Sequence, residues 1–345
     1  MPYNNSRLFL VTMYSSVSVL ALPANFLTLW LTLLQVRKGN VLAIYMFCLA
    51  LCELLYASTL PLWVMYIWNN HHWALGDWGC RVAAYVFFCN IYVSILFLCC
   101  ISCDRFMAVV YPLQSRAHCH QKVAIFVSAT VFVLVGTIFL PVFRDKTNNT
   151  CFESVPVNQR TAGYYYSRFT LGFALPLSII TFTNLQVFRR IRQSISLSSA
   201  QKARIKRLLV AVVTIFLICF TPYHLVLLAR AITFSYYQDN VTALCQRECE
   251  FYTPYMVFLC LCTVNSVADP IFFSLAMDSW LRQNARRLRW SPRHGRTKTT
   301  QLTASKDVEE PRLPTDSCTL PTIVAPPGAP QGTRALQRTL HEEPC

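Results

Sequence analysis

Arg168 carries a positive charge within a long apolar run, and its guanidinium stays charged at physiological pH. Exposing such a charge to hydrocarbon costs about 2.5–3.5 kcal/mol, and no acid lies one helical turn away along the sequence. A guanidinium binds a carboxylate or a phosphate through two parallel hydrogen bonds. We therefore predict an anionic head-group site at this arginine, with a structural partner on another helix as the alternative. The other residues expected at the site are Tyr166 and His224, with Arg81 or Arg230 at its mouth.

Two carboxylates, Glu53 and Asp269, and the amide of Asn25 also fall inside apolar runs. Ionisable side chains are rare there and need either hydrogen-bonding partners or a function. One interpretation is a structural hydrogen-bond cluster in the interior, and the other is an ion or proton site. Because histidine titrates most readily near neutral pH, the candidate proton sensors are His71, His72, His224, Glu53 and Asp269. The alternative for His71 and His72 is that they are merely polar loop residues.

Reactive side chains outside the apolar runs form no catalytic pattern. No loop holds a nucleophile with a suitably placed base, and no cysteine pair has zinc-ligand spacing with histidines nearby. We therefore expect no enzyme, no metal site and no cofactor. A pigment that binds retinal is excluded as well. Such a pigment needs a lysine in its last apolar run to form a Schiff base, and residues 251–276 contain none.

The elements that position these residues are long apolar runs. Hydrophobic residues make up 54% of the 345-residue chain, charged residues only 14%, and the mean hydropathy is +0.38. Soluble domains carry about 25% charged residues, so this chain needs lipid as part of its solvent. Each run has room for the roughly 20 residues that a helix needs to cross a bilayer, whereas lone strands would leave their backbone unpaired in lipid. We predict an all-α bundle of seven transmembrane helices within residues 8–276, at 8–36, 41–68, 79–111, 122–143, 162–192, 204–234 and 251–276.

The formal charge of +15 is distributed unevenly about this bundle. Basic residues cluster after runs one, three, five and seven, for example at Arg37 and Arg189, whereas acids offset the few basic residues of the other loops. Lys and Arg mark the cytoplasmic side, so the charge indicates topology rather than nucleic-acid binding. We expect a multi-pass plasma-membrane protein with a short extracellular N-terminus at residues 1–7. Three glycosylation sequons fall on the same outer side, at Asn4, Asn148 and Asn240.

The chain beyond the last run has two parts. Residues 277–290 alternate arginines with apolar side chains, which is typical of a short amphipathic helix on the membrane surface. Residues 291–345 are rich in Pro, Thr, Ser and Gly, which indicates a disordered cytoplasmic tail.

Most of the sixteen cysteines lie within the apolar runs, where they act as small packing residues. Cys80, at the outer start of the third run, and Cys151, in the next outer loop, face the oxidising side. We expect these two to form a disulfide. Cys245 and Cys249 share the last outer loop and either pair with each other or stay free.

Several of these residues stand in the order of a known family. Over about residues 8–290 the chain resembles the rhodopsin-like class of G-protein-coupled receptors. Residues 88–105, 163–166 and 222–228 are similar to the proton-sensing and lysolipid-related branch of that class. The motifs that carry the resemblance are Asn25, Cys80 with Cys151, Asp104-Arg105-Phe106 for D-R-Y, Cys219-Phe220-Thr221-Pro222 for C-W-x-P, and Asp269-Pro270-Ile271-Phe272-Phe273 for N-P-x-x-Y.

The resemblance implies a receptor that signals through a heterotrimeric G protein, with arrestin and receptor kinases acting on its tail. Its ligands would be acidic lipids, namely oxidised fatty acids, lysophospholipid-like lipids or N-acyl amino acids, with some acid sensitivity. Apolar walls from the third, fifth and sixth helices would hold the acyl chain. The alternatives are a receptor primarily for protons and a membrane transporter, although the internal repeats typical of transporters are not seen. The implied activation switch consists of Asp104, Arg105, Phe220, Pro222, Asp269, Pro270 and Phe273.

The sequence departs from the family pattern in several places. Ser128 replaces a tryptophan of the fourth helix, and Asn184 and Phe273 replace tyrosines that usually help to hold the active state. Relatives that sense acid strongly add a glutamate in the fourth helix, and residues 122–143 contain none. We therefore expect weak acid activation at most.

Overall fold

The computed structural model describes residues 3–112, 121–144, 151, 157–194, 198–271 and 274. These residues contain no strand, and seven of their helices are long and apolar enough to cross a membrane. The predicted all-α seven-helix fold is confirmed, whereas the expected surface helix at 277–290 and the tail at 291–345 lie outside the described residues. The helices are α1 Tyr3–Val36, α2 Val41–Trp68, α3 Gly76–Val110, α4 Gln121–Phe139, α5 Gln159–Gln193, α6 Ser199–Tyr237 and α7 Val241–Ile271.

The start of α7 was predicted wrongly, since the helix begins at Val241 and not at residue 251. Asn240 caps this end, because its side chain accepts a hydrogen bond from the backbone N–H of Ala243 at 3.0 Å. The 31 residues of α7 extend for about 46 Å, well beyond the roughly 30 Å of hydrocarbon. The outer turns can therefore be polar, and hydropathy alone does not detect them.

This longer helix relocates residues that the sequence placed in the last outer loop. Cys245, Glu248, Cys249 and Glu250 all lie on α7. The two cysteines are both free thiols, so the alternative in which they pair is not the one observed. Glu248 is buried, and it consequently becomes part of the bundle interior.

Two helices widen next to a proline. A π-helical turn, Thr170–Ala174, precedes Pro176 in α5, and a second one, Phe216–Phe220, precedes Pro222 in α6. Proline has no backbone N–H and its ring displaces an upstream carbonyl, and π-helical turns often mark functional sites. Both turns lie close in sequence to the residues that form the candidate site.

Gly172, within the π-helical turn of α5, allows close approach of α3. A Cβ atom at this glycine would lie 2.4 Å from Cε1 of the Tyr92 ring, which is far inside van der Waals contact. The missing side chain therefore fixes the position of Tyr92 against α5. Helix α3 is the most buried of the seven spans, so Tyr92 is presented from the centre of the bundle.

The predicted disulfide between Cys80 and Cys151 is present, with 5.6 Å between the two Cα atoms. It joins the start of α3 to the segment before α5. The backbone N–H of Cys151 also donates a hydrogen bond to the Tyr66 hydroxyl of α2 at 3.1 Å. The end of α2, the start of α3 and the approach to α5 are thus connected at one point.

Candidate ligand site and activation switch

Arg168 lies just before the π-helical turn of α5 and is partly buried. Its Nε donates a hydrogen bond to the Tyr92 hydroxyl of α3 at 2.8 Å, and its Nη2 donates to the Tyr223 hydroxyl of α6 at 2.5 Å. Among the described residues, no acid forms an ion pair with this guanidinium. The partners from other helices are thus two neutral hydroxyls, and they do not balance the charge.

Aromatic rings surround the Arg168 guanidinium. Its central carbon lies 4.9 Å from the ring centroid of Phe88 and 5.9 Å from that of Phe139. The rings of Tyr92 and Tyr223 are 5.4 Å and 5.7 Å away. A ring face attracts a cation by about 0.5–2 kcal/mol, which holds the guanidinium in place without an acid. The Arg168 guanidinium can therefore bind an anion, and the surrounding rings can contact the apolar groups of the same ligand.

His224 is fully buried on α6 and is connected to Arg168 by hydrogen bonds through the Tyr92 hydroxyl. Its Nδ1 donates a hydrogen bond to the carbonyl of Phe220 at 2.8 Å, and its Nε2 lies 3.2 Å from the Tyr92 hydroxyl. Since that hydroxyl accepts from Arg168, its own hydrogen is free to point to Nε2. The geometry fits a neutral imidazole, which stacks on Phe173 at 4.8 Å. A continuous chain of hydrogen bonds thus runs from α5 through α3 to the π-helical turn of α6.

Arg230, expected at the mouth of the site, forms an ion pair with Glu248. Its Nε and Nη2 donate to the same Glu248 oxygen at 2.9 and 2.5 Å, and the pair is almost completely buried. The guanidinium also lies over the rings of Tyr165 and Tyr255, at 5.3 and 4.8 Å. Its charge is balanced within the helix bundle, unlike that of Arg168.

The other two expected neighbours have different surroundings. The Tyr166 hydroxyl lies 3.1 Å from the Ser235 hydroxyl and so connects the first turns of α5 to the last turn of α6. Arg81 is partly buried on α3, and its Nε has no hydrogen-bond partner among the described residues. The structure thus brings Tyr92, Tyr223 and, indirectly, His224 to Arg168.

A small cavity of about 50 Å³ is lined by residues of α1, α2, α3 and α7, together with Tyr165 of α5 and Arg230 of α6. Aromatic rings form most of its wall, and the buried Nε1 of Trp63 has no partner among the described residues. A volume of this size holds a few water molecules rather than an acyl chain. An acyl chain could enter this particular cavity only if some of its aromatic side chains moved.

Glu53 is fully buried on α2 and accepts four side-chain hydrogen bonds. Two donors come from α3 and two from α7, so the carboxylate joins three helices. No polar loop or solvent is needed to satisfy it. The donors are Ser94 Oγ at 2.7 Å, Asn90 Nδ2 at 3.2 Å, Asn265 Nδ2 at 3.0 Å and Ser266 Oγ.

The same network includes Asp269 and Asn25. Asn265 also donates to Asp269 at 3.0 Å, and Asn25 of α1 donates to the backbone carbonyl of Ser266 at 2.8 Å. The interior hydrogen-bond cluster suggested by the sequence is thus present, and it connects α1, α2, α3 and α7.

Asp104 and Arg105, two residues of the implied activation switch, form a charge pair at the end of α3. Arg105 donates from Nε to the Asp104 carboxylate at 3.0 Å, and from Nη2 to the same oxygen. Phe220 is buried at the end of the π-helical turn of α6, next to Phe216. Phe273, the last residue of the predicted switch, lies outside the described residues.

A profile described as "7 transmembrane receptor (rhodopsin family)" matches residues 24–273, from α1 to the end of α7. The chain belongs to this family. It is therefore a multi-pass membrane receptor that couples to G proteins, which decides against an enzyme and against the transporter alternative.

Individual relatives of the receptor show which branch of the family it resembles. The human "Probable G-protein coupled receptor 132" is 54% identical over 348 residues, which cover 99% of this chain and 90% of that protein. Cattle G-protein coupled receptor 68 is 33% identical and covers 79% of this chain and 75% of its own length. Mouse lysophosphatidic acid receptor 4 is 32% identical, and the match covers 77% of this chain and 74% of that protein. The resemblance to the proton-sensing and lysolipid-related branch is confirmed.

The two loop histidines of the receptor differ in their surroundings. His71 is buried at a positive φ of 62°, and its ring lies 5.1 Å from that of Tyr66 and 6.3 Å from that of Tyr252. Its Nδ1 is 3.4 Å from the Tyr252 hydroxyl. His72 is exposed. The interpretation as a merely polar loop residue suits His72 and is wrong for His71, which connects the end of α2 to α7.

Sequence reasoning missed Tyr92, Tyr223 and Glu248. A buried tyrosine hydroxyl needs a hydrogen-bond partner, and Tyr223 directly follows Pro222 of the sixth-helix motif. These signals could have marked both tyrosines as polar contacts of the interior. They could not have shown which charged residue each tyrosine meets, because that depends on how the helices are rotated about their axes.

Proposed function

We propose that this receptor is activated by acidic lipids whose carboxylate or phosphate head group binds Arg168. The observation that carries the proposal is a guanidinium held by two neutral hydroxyls and ring faces rather than by an acid. An anion adds an opposite charge and can accept two parallel N–H bonds from the guanidinium, so it would displace at least one hydroxyl. The name of the mouse lysophosphatidic acid receptor 4 refers to a phosphate-bearing lipid, which supports this class of ligand. Oxidised fatty acids, lysophospholipid-like lipids and N-acyl amino acids all fit it.

An anion on Arg168 would act directly on α6. Tyr223 stands on α6 after Pro222, and its hydroxyl accepts the shorter of the two Arg168 bonds. When a head group takes over Nη2, α5 and α6 lose this connection. Helix α6 can then shift at its proline bend, and Arg105 at the other end of the bundle would become available to the G protein.

The direct test uses purified receptor reconstituted with a heterotrimeric G protein. We expect an N-acyl glycine to accelerate nucleotide exchange and its methyl ester to be at least about ten-fold less potent, because the ester lacks the charge that Arg168 recognises. Vesicles that contain the G protein alone are the control. Equal potency of acid and ester would contradict the proposed head-group site.

A receptor primarily for protons is the second candidate function. The specific observation in its favour is His71, which is buried between Tyr66 and Tyr252 where α2 meets α7. The carboxylates of the interior cluster, Glu53 and Asp269, are the other candidates.

We expect signalling to change less than about two-fold between pH 8 and pH 6. Helix α4 has no glutamate, and a charge on His224 would stand beside the Arg168 cation, since both contact the Tyr92 hydroxyl. The measurement is a G-protein signalling titration without added lipid. A large and steep response that disappears in His71→Phe, His72→Phe or His224→Phe would make protons the main agonist.

We further propose a plasma-membrane location with the N-terminus outside and the Arg105 end of the bundle in the cytoplasm. The glycosylation sequon at Asn240 supports this orientation. The side chain is exposed, and its Nδ2 stays available because only Oδ1 caps α7. Asn148 and the side chain of Asn4 lie outside the described residues. Arrestin and receptor kinases are proposed partners of the tail.

A further inference from the structure

A groove of about 530 Å³ opens between α6 and α7, far from the ligand site. It lies at the Arg105 end of the bundle, because α6 there packs near Phe106 through Ile205 and Leu209. Val210 and Ile271 on its rim are 53% and 61% exposed, so the groove faces the surrounding lipid. Its apolar lining is Val210, Ala211, Ile215, Ala268 and Ile271, with the single hydroxyl of Thr214.

Two basic side chains close one end of this groove. Lys206 and Arg207 precede Val210 by one helical turn, and both are exposed. Neither forms an ion pair with an acid in the described part of the chain. An arginine binds a phosphate through two parallel hydrogen bonds and a lysine binds it as a point charge. The groove thus combines an apolar trough with two cations at one end, which complements a lipid with an anionic head.

We propose that this groove binds one anionic phospholipid of the cytoplasmic leaflet. The phosphate head lies on Lys206 and Arg207, and an acyl chain runs along Val210, Ile215 and Ile271. The choice of leaflet rests on the proposed orientation, which puts this end in the cytoplasm, where anionic lipids are concentrated. The site is separate from Arg168. The α6 partner of Arg168, Tyr223, follows the π-helical turn Phe216–Phe220, whereas the groove residues of α6 precede that turn.

Binding of phosphatidylserine to the purified full-length receptor in neutral detergent tests the site. Short-chain fluorescent phosphatidylserine is the probe, and phosphatidylcholine with the same chains controls for the head group. We expect tighter binding of phosphatidylserine, weakened about thirty-fold in the double variant Lys206→Gln/Arg207→Gln, while phosphatidylcholine is unaffected. Thr214→Trp fills the trough and keeps both charges, and it should weaken both lipids.

The matched control is Arg189→Gln/Arg190→Gln, which removes two exposed charges of α5 at the same end but outside the groove. Its phosphatidylserine affinity should stay within about two-fold of the parent. Arg168→Ala removes any phosphatidylserine bound at the ligand site, and the loss caused by Lys206→Gln/Arg207→Gln should persist in that background, so that failure of the groove and failure of the ligand site are distinguishable. Equal affinity for the two lipids, equal losses in the two double variants, or no loss in Lys206→Gln/Arg207→Gln would overturn the proposal. Unchanged apparent melting temperatures establish that the variants are folded.

Discussion

Replacing Arg168 by alanine is expected to lower the potency of an acidic lipid about 100-fold or more. A carboxylate would receive two hydrogen bonds from this guanidinium, and each charged hydrogen bond contributes about 1.5–3 kcal/mol. A loss of 1.4 kcal/mol is a factor of ten in affinity. Arg168→Lys keeps the charge but loses the forked geometry, so it should recover only part of the potency. The measurement is a concentration–response curve for G-protein activation at matched surface expression.

Two controls separate a head-group role from a structural one. The methyl ester of the same lipid should be weak on the parent receptor and nearly unaffected by Arg168→Ala. Arg160→Ala removes an equal charge from the exposed start of α5 and should leave the potency of the acid unchanged. If both arginine variants lost the same potency, or if Arg168→Ala weakened acid and ester alike, the guanidinium would not be recognising the acid group.

Replacing Arg230 by methionine is expected to destabilise the folded receptor strongly. The Glu248 side chain has no exposed surface, so Arg230→Met leaves a buried carboxylate without its partner, at a cost of about 3–5 kcal/mol. The apparent melting temperature of the purified receptor should fall on the order of 10 °C. Glu248→Leu should cost less, because the remaining guanidinium still lies over the rings of Tyr165 and Tyr255.

The double variant Arg230→Met/Glu248→Leu should recover most of that loss, since well-packed apolar residues often replace a buried ion pair without penalty. Arg247→Met is the matched control on α7. Its ion pair with Glu250 is 52% and 54% exposed, and such pairs contribute about 0–1 kcal/mol. A melting temperature that falls no further in Arg230→Met than in Arg247→Met would show that the buried pair does not stabilise the bundle where α6 ends and α7 begins.

The seven helices were predictable from the sequence, and the bounds of α2 agree to the residue. A helix that crosses lipid must satisfy its own backbone and stay apolar over about 20 residues, so the signal lies within one stretch of chain. The disulfide between Cys80 and Cys151 was predictable because only a few cysteines lie outside the spans on the oxidising side. The order of the family motifs could likewise be recognised from the sequence alone.

The sequence also determined which interior residues need a partner. Arg168, Glu53 and Asp269 were recognisable because an ionisable group in an apolar run costs free energy whatever surrounds it. That argument concerns the residue alone. It does not say whether the partner is an acid, a hydroxyl or a ligand.

Only the tertiary structure decided the partners themselves. Arg168 meets Tyr92 and Tyr223, which are 76 and 55 residues away along the chain. Arg230 meets Glu248 because α7 begins before the apolar run does. These contacts depend on the rotation of each helix about its axis and on close approaches such as that of Gly172 to Tyr92. Rotation is set by side chains of several helices packing at the same time, and no single stretch of sequence contains that information.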